Sequence, residues 1–332
     1  MNNPSRTRKA KPKLQKGKAK KKQFPIVAIG SSAGGLEALK KFFSAMPPAA
    51  GLAFVVISHL DPSHKSILAE LLSKYTEMKV VQVGNEMKVN PDTVYVIPPN
   101  KDMKIDNLKL YLTEPKVREG VRHPIDFFFR SLAEDVKENA ACIIFSGTGT
   151  EGAIGLKEIK GYGGIVMAQD IKTAAYSGMP SAAIDTGQVD YILPPEKMPE
   201  ELISYMQQTQ SVLKRVSEPG KGSAEEYADF LKKILMIIKS ATGRDFSNYK
   251  KNTIIRRIER RMNLQKVASM DDYIKYLYLN PAEQKALFKE LLIGVTSFFR
   301  DPEVFDIFQK EYLPSIVKDK AVNEPIRIWV PA

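Results

Sequence analysis

From Phe24 to about Gln210, short apolar runs alternate with stretches of helical spacing, and this alternation is what most restricts the fold. Strands buried on both faces read as unbroken apolar runs, and parallel neighbours need a crossover helix between them. Strands are expected near 25–30, 53–58, 79–83, 93–97, 141–146, 164–169 and 189–193. Helices are expected near 36–46, 64–75, 124–138, 152–161, 177–186 and 196–208, and a hairpin-like piece at 103–113 breaks the alternation. The pattern predicts an α/β fold with a doubly wound, mostly parallel sheet.

Three of the apolar runs end in chemistry. Ile26-Val27-Ala28-Ile29 enters Gly30-Ser31-Ser32-Ala33-Gly34-Gly35, a G-x-S-x-G string on a strand-to-helix turn, with Ser32 in the exposed elbow position and Ser31 as a decoy. The run ending at Ser58 is followed by His59, and the run ending at Ser146 leads into a glycine-rich loop carrying Glu151. The carboxyl ends of parallel strands lie along one edge, so the three loops should meet in one crevice. Serine, histidine and carboxylate there read as a hydrolase triad.

Each signal has a plainer alternative. The glycines beside Ser32 would equally let backbone N–H groups face an anion at the helix N-terminus. No lysine follows in Walker fashion and no G-x-G-x-x-G is present, which disfavours a nucleotide. Of the three histidines, His64 suits a capping or surface role, and His123, before Pro124, suits a structural role or a substrate-loop contact. His59, closing a buried strand, is the candidate general base. Glu151 would either orient that imidazole or simply cap the helix that follows it, which is worth about 0.3–1 kcal/mol.

The formal charge is +12, but residues 1–22 hold ten basic residues and no acid, which leaves +2 for the rest. The basic character therefore describes a tail over 1–23, expected to be disordered, and not a nucleic-acid-binding body. No apolar stretch of about 18 residues and no signal-peptide core exist, which argues against secretion and membrane insertion. A single cysteine, Cys142, allows no disulfide within the chain and fits a reducing cytoplasm. A length of 332 residues predicts two or more domains. The α/β pattern covers 24–208, and 209–223, with Pro219-Gly220-Lys221-Gly222-Ser223, reads as a linker. Helical spacing at 227–242, 253–266, 271–279, 281–294 and 302–312 predicts a small all-α domain over 224–312. Ile326–Val330, within 313–332, reads as one further strand followed only by Pro331 and Ala332.

The strings Ile29–Gly35, Ser58-His59, Tyr95-Val96-Ile97-Pro98-Pro99, Arg122-His123-Pro124, Ser146-Gly147-Thr148-Gly149, Gly178-Met179-Pro180 and Val189–Pro195 together resemble the catalytic domain of the chemotaxis protein-glutamate methylesterases (CheB-type) over roughly 24–205. The resemblance implies hydrolysis of glutamyl methyl esters on a chemoreceptor-like helical protein, with glutamine deamidation as a side activity and no metal or organic cofactor. Its Ser-His-Asp triad carries over to Ser32 and His59, and its third position falls on Glu151. Glu is one methylene longer and is accepted in other hydrolase triads, so reduced or re-aimed function is expected before complete loss. Backbone N–H groups of Ala33 and of the loop with Thr148 and Gly149 are the expected oxyanion donors. The family ordinarily carries a receiver domain, and the 23 residues before this domain predict that this switch is absent.

The second half resembles the chemotaxis receptor methyltransferases (CheR-type). Arg256, Arg257, Arg260 and Arg261 sit on one helix face at i, i+4 spacings, positioned to meet an acidic receptor helix. By resemblance, Thr296 and Arg300 would touch S-adenosylmethionine in a complete methyltransferase, and the chain is expected to stop before the cofactor-binding core. The competing expectation is a catalytically weak signalling scaffold with a receptor-binding helical module.

Overall fold

The computed structural model describes residues 24–58, 67–115, 122–217, 224–292 and 307–314. The first part of the chain runs β1 (Ile26–Ser31), α1 (Gly35–Ala45), β2 (Ala53–Ser58), α2 (Leu68–Leu72), β3 (Lys79–Gln82), β4 (Met87–Lys88), β5 (Thr93–Val96), β6 (Asp102–Asp106) and β7 (Lys109–Thr113). It continues through α3 (Pro124–Val136), β8 (Ala140–Ile144), α4 (Gly155–Gly161), β9 (Ile165–Gln169), α5 (Gly178–Asp185), β10 (Tyr191–Leu193) and α6 (Met198–Ser217). Seven strands form one parallel sheet in the order β10-β9-β8-β1-β2-β5-β3.

The strands are apolar throughout because both faces are covered. Val27 and Ile29 point into a core with α1, α2 and α6, whereas Ile26 and Ala28 point into a second core with α3, α4 and α5. In the first core Phe42 meets Phe43, Phe54 and Phe145 edge-on at centroid distances of 5.2, 5.9 and 5.7 Å. Such pairs add roughly 0.5–1.5 kcal/mol each beyond their buried area. The hairpin-like piece is β6 and β7, joined by Asn107 and Leu108, both with positive φ (52° and 59°), the mirror-image turn that suits strand twist. With β4 it makes a separate three-stranded antiparallel sheet.

Topology locates the crevice. From β1 the chain crosses through α1 to β2 on one side, and from β8 through α4 to β9 on the other. The order therefore switches between β1 and β8, where ligand sites of open α/β sheets form at the carboxyl ends of the strands.

Four further helices, α7 (Ala224–Thr242), α8 (Lys251–Leu264), α9 (Met270–Leu279) and α10 (Pro281–Leu292), enclose a core that includes Ile234, Ile238, Ile258, Tyr273, Leu277 and Leu287. Described residues up to Leu292 form one compact unit. Two expectations need correction. Helix 196–208 continues to Ser217, so most of the expected linker is helical, and of the helix expected at 64–75 only Leu68–Leu72 is helical in the part described. The tail 1–23 and the strand at 326–330 lie outside the described residues, as does the start of the last helix, of which Phe308–Tyr312 has π-helical turns. Among the described residues no helix is long and apolar enough to cross a membrane.

Candidate active site

Ser32 leaves the end of β1 into a tight turn. Its N–H donates to Ser146 O at 3.0 Å, and its carbonyl accepts from Gly35 N–H at 2.9 Å. Gly34 completes the turn at φ +72°, where a Cβ is strained and would also lie 2.7 Å from the Ala175 Cβ. Ser32 and Ala33 are half-buried at the N-terminus of α1, where the partial positive charge of the helix end favours developing negative charge. Ser31, by contrast, is fully buried, with its hydroxyl 3.5 Å from Ser58 Oγ, which removes it as the nucleophile.

The segment 147–149 runs alongside Ser32. A Cβ on Gly147 would stand 3.0 Å from the Ser32 Cβ and 2.2 Å from Met179 Sδ. A Cβ on Gly178 would stand 3.0 Å from both Gly149 N and Gly149 O, so the Gly178-Met179 pair lies directly against this backbone. Met179 N–H donates to Gly147 O at 2.9 Å, and Gly147 N–H is committed to Tyr176 O at 3.1 Å. Thr148 and Gly149, by contrast, are both exposed. Gly147→Ala is expected to cost about 1–3 kcal/mol of stability through overpacking and to lower any Ser32 chemistry more than about tenfold. Urea melts beside rate measurements check this, and a fully active Gly147→Ala protein would show that the loop does not crowd the serine.

Glu151 does something the sequence did not suggest. Gly149 (φ +79°) and Gly152 (φ +90°) turn the loop back, so that Glu151 Oε1 accepts from Ile125 N–H at 2.6 Å and caps α3, not the helix that follows it. The helix that follows is served by Asp126, whose Oδ1 accepts from Ile154 N–H at 3.1 Å and Gly155 N–H at 2.6 Å. Each acid therefore caps the other's helix, and both are buried. Burial pushes the Asp126 carboxyl up, the Gly155 N–H opposes this, and the Glu151 charge adds to the rise. His123, exposed just before Pro124, brings a ring nitrogen within 4.8 Å of carboxylate oxygens of both acids. This trio has the donor types of a cation site, but one oxygen of each acid is already spent on a helix N-terminus. His59 and His64 lie outside the described residues.

The expected receptor-binding face is corrected by the packing of α8. Arg260 is 4 % exposed and donates to Gly164 O at 3.0 Å, to Glu290 Oε2 at 3.0 Å and to the Asp190 carboxylate. Lys160 joins the same cluster at 2.6 Å from Asp190 and 3.3 Å from Glu290. Arg257 donates to Glu290 O and Gly161 O, and Arg261 is held by Glu283 within the bundle. Only Arg256 of the four is exposed, 3.8 Å from Glu138. A guanidinium stripe is read as solvated or partner-facing from sequence because its carboxylates are distant in the chain, and here three of the four are consumed internally. Glu138, Gly164 and Asp190 each precede a strand, so the bundle grips the amino edge of the sheet, opposite the edge with Ser32. Thr296 and Arg300 lie outside the described residues.

Sequence reasoning missed Asp126, Ser146, Tyr176 and Gln169. Only Asp126, in the first turn of a helix opened by Pro124, carried a local signal.

The all-alpha domain of CheR methyltransferase matches residues 229–292. A protein-glutamate methylesterase/protein-glutamine glutaminase of Thermotoga maritima is 34 % identical over 182 residues, 54 % of this chain and 53 % of the relative. An uncharacterized 104.1 kDa protein in the hypE 3' region of Rhodobacter capsulatus is 34 % identical over 279 residues, 79 % of this chain and 29 % of the relative. The chain thus spans about half the length of the methylesterase relative and less of the larger one. The crystal structure of the Thermotoga maritima CheB methylesterase catalytic domain superposes with a TM-score of 0.51 at 33 % identity, over 55 % of this chain and 98 % of that domain. Because the CheB methylesterase family matches residues 27–202, more than half of its length, this chain belongs to the CheB methylesterase family.

Proposed function

We propose that the chain hydrolyses glutamyl methyl esters on a chemoreceptor-like helical protein, with glutamine deamidation as a side activity. The observation that carries this reading is the contact between the Ser32 turn and the 147–149 backbone at the switch between β1 and β8. Ser32 Oγ attacks the ester carbonyl while His59 takes its proton. The oxyanion is met by N–H groups of Ala33, Thr148 and Gly149, and His59 returns the proton to methanol. Water then hydrolyses the acyl-serine by the same proton route. Serine, imidazole, carboxylate and water account for every bond and proton, so no metal or organic cofactor is called for. S-adenosylmethionine would belong to a complete methyltransferase. The reducing cytoplasm is the compartment that one buried cysteine suits. The scaffold alternative is not favoured, because the methylesterase relatives share the matched region.

The decisive experiment is release of methanol from a methyl-esterified glutamyl peptide, with burst kinetics on an activated ester. Absence of both would remove the esterase reading. Glu151→Gln separates the two uses of this residue, since the amide oxygen still accepts the Ile125 N–H while the charge that would orient an imidazole is gone. Its kcat is expected to fall by about 10²-fold or more with the melting profile little changed. Equal rates for Glu and Gln would reduce Glu151 to a helix cap.

A further inference from the structure

We propose that Ser146 is the positioning residue of the site, a buried tether that fixes the nucleophile turn and the Tyr176 loop in one register; the proposal rests on reading Ser32 as the nucleophile. Ser146 lies just past the end of β8 and is 1 % exposed. Its backbone and side chain bind the surrounding loops and the end of β9. Its carbonyl accepts the Ser32 N–H at 3.0 Å. Its hydroxyl donates to Ala33 O at 2.9 Å, with Tyr176 O at 3.2 Å as the alternative acceptor, and accepts from Tyr176 N–H at 2.9 Å. Its own N–H donates to Gln169 Oε1 at 2.8 Å.

Gln169 is itself 2 % exposed, at the end of β9, and its amide nitrogen donates to Thr173 O at 3.0 Å and Thr173 Oγ1 at 3.3 Å. The chain of contacts therefore runs from β9 through Ser146 to the two residues that flank the attacking oxygen and its first anion donor. The Tyr176 end has a purpose at the surface. Tyr176 is 50 % exposed, and its ring lies over Gly34, where a Cβ would stand 3.2 Å from Tyr176 Cδ2. The hydroxyl thus ties the residue after Ser32 to the loop whose aromatic ring lies over Gly34, while the backbone carbonyl of the same residue holds the Ser32 N–H.

A serine hydroxyl attacks efficiently only from near-attack geometry, and a displacement of about 1 Å can cost about 10²-fold. Removing the Ser146 hydroxyl leaves the Ala33 carbonyl and the Tyr176 N–H to find other partners, and the turn gains freedom. Ser146→Ala in the full 332-residue chain is therefore expected to lower kcat on an activated ester by about 10- to 100-fold, with KM changed less than about threefold. Ser146→Thr, which restores the hydroxyl, should recover kcat to within about threefold of the parent. Amide hydrogen exchange at Tyr176, whose N–H loses its acceptor, should be faster in Ser146→Ala than in the parent or Ser146→Thr, a readout that needs no turnover.

Retained kcat in Ser146→Ala, unchanged exchange at the Tyr176 amide, or Ser146→Thr as slow as Ser146→Ala would each overturn the proposal. A Ser146→Ala protein that no longer folds would make the residue structural and overturn it as well. A parent chain that hydrolyses nothing would instead remove the esterase reading, while the exchange experiment would still decide whether Ser146 holds the turn.

Discussion

Ser32→Ala is expected to lower ester hydrolysis by about 10³-fold or more, because the hydroxyl supplies the bond-making atom and the rest of a triad cannot replace it. The fold should tolerate the change. Ser32 is held by its own backbone, through the N–H to Ser146 O and the carbonyl to Gly35 N–H, and an alanine keeps both. The measurement is initial rate on an activated ester beside a thermal melt of the same preparation. A folded variant with activity within tenfold of the parent would show that another nucleophile acts, and the buried Ser31 offers no substitute.

The second large effect concerns stability. Arg260→Met is expected to destabilise the chain by about 3–5 kcal/mol, because it strands the buried Asp190 and Glu290 with less positive charge than they were folded against. The cost is one of desolvation. Removing one member of a buried ionic cluster exposes the full burial penalty of the others, whereas replacing all of them together by apolar side chains can be nearly neutral. Urea unfolding at neutral pH gives the number, and a loss below about 0.5 kcal/mol would mean that the cluster is surface-like in its energetics.

Acid should reveal the same cluster. Burial would raise the Asp190 carboxyl, but the charges of Arg260 and Lys160, with hydrogen bonds from Lys160 and Val166 N–H, outweigh it and hold the group below the ordinary carboxylate value. Its contribution is therefore complete above the unfolded value of about 3.9 and is lost as pH falls through the lower folded value. Without Arg260 the folded value rises, so the acid loss in Arg260→Met should begin at a higher pH than in the parent. Hydrolysis per folded molecule should be unchanged, since the cluster lies at the amino edge of the sheet and Ser32 at the carboxyl edge.

The parallel sheet and the Ser32 turn were legible in the sequence because both are local. An apolar run such as Ala53–Ser58 and a Gly-Ser-Ser-Ala-Gly string at the end of β1 encode strand and elbow within a few residues, and strand direction then brings the loops to one edge. The helices of the second part were equally local, since each buries one spaced stripe in the bundle core. Helix ends and the reach of α6 were less so, because propensity continues a helix wherever packing permits.

What only the tertiary structure decided are the partners of polar groups, which are set by chain segments far apart. Glu151 could have capped the helix after it, but two left-handed glycines turn it to Ile125, 26 residues earlier. The arginines of α8 had the spacing of an open basic face, yet Asp190, 70 residues before Arg260, closes it. Ser146 gave no local sign of its role, since its hydroxyl partner at Ala33 is 113 residues away. Hydrophobic periodicity fixes which face of an element is buried, whereas a hydrogen bond or ion pair needs a particular atom at a particular distance. That information exists only once the elements have packed.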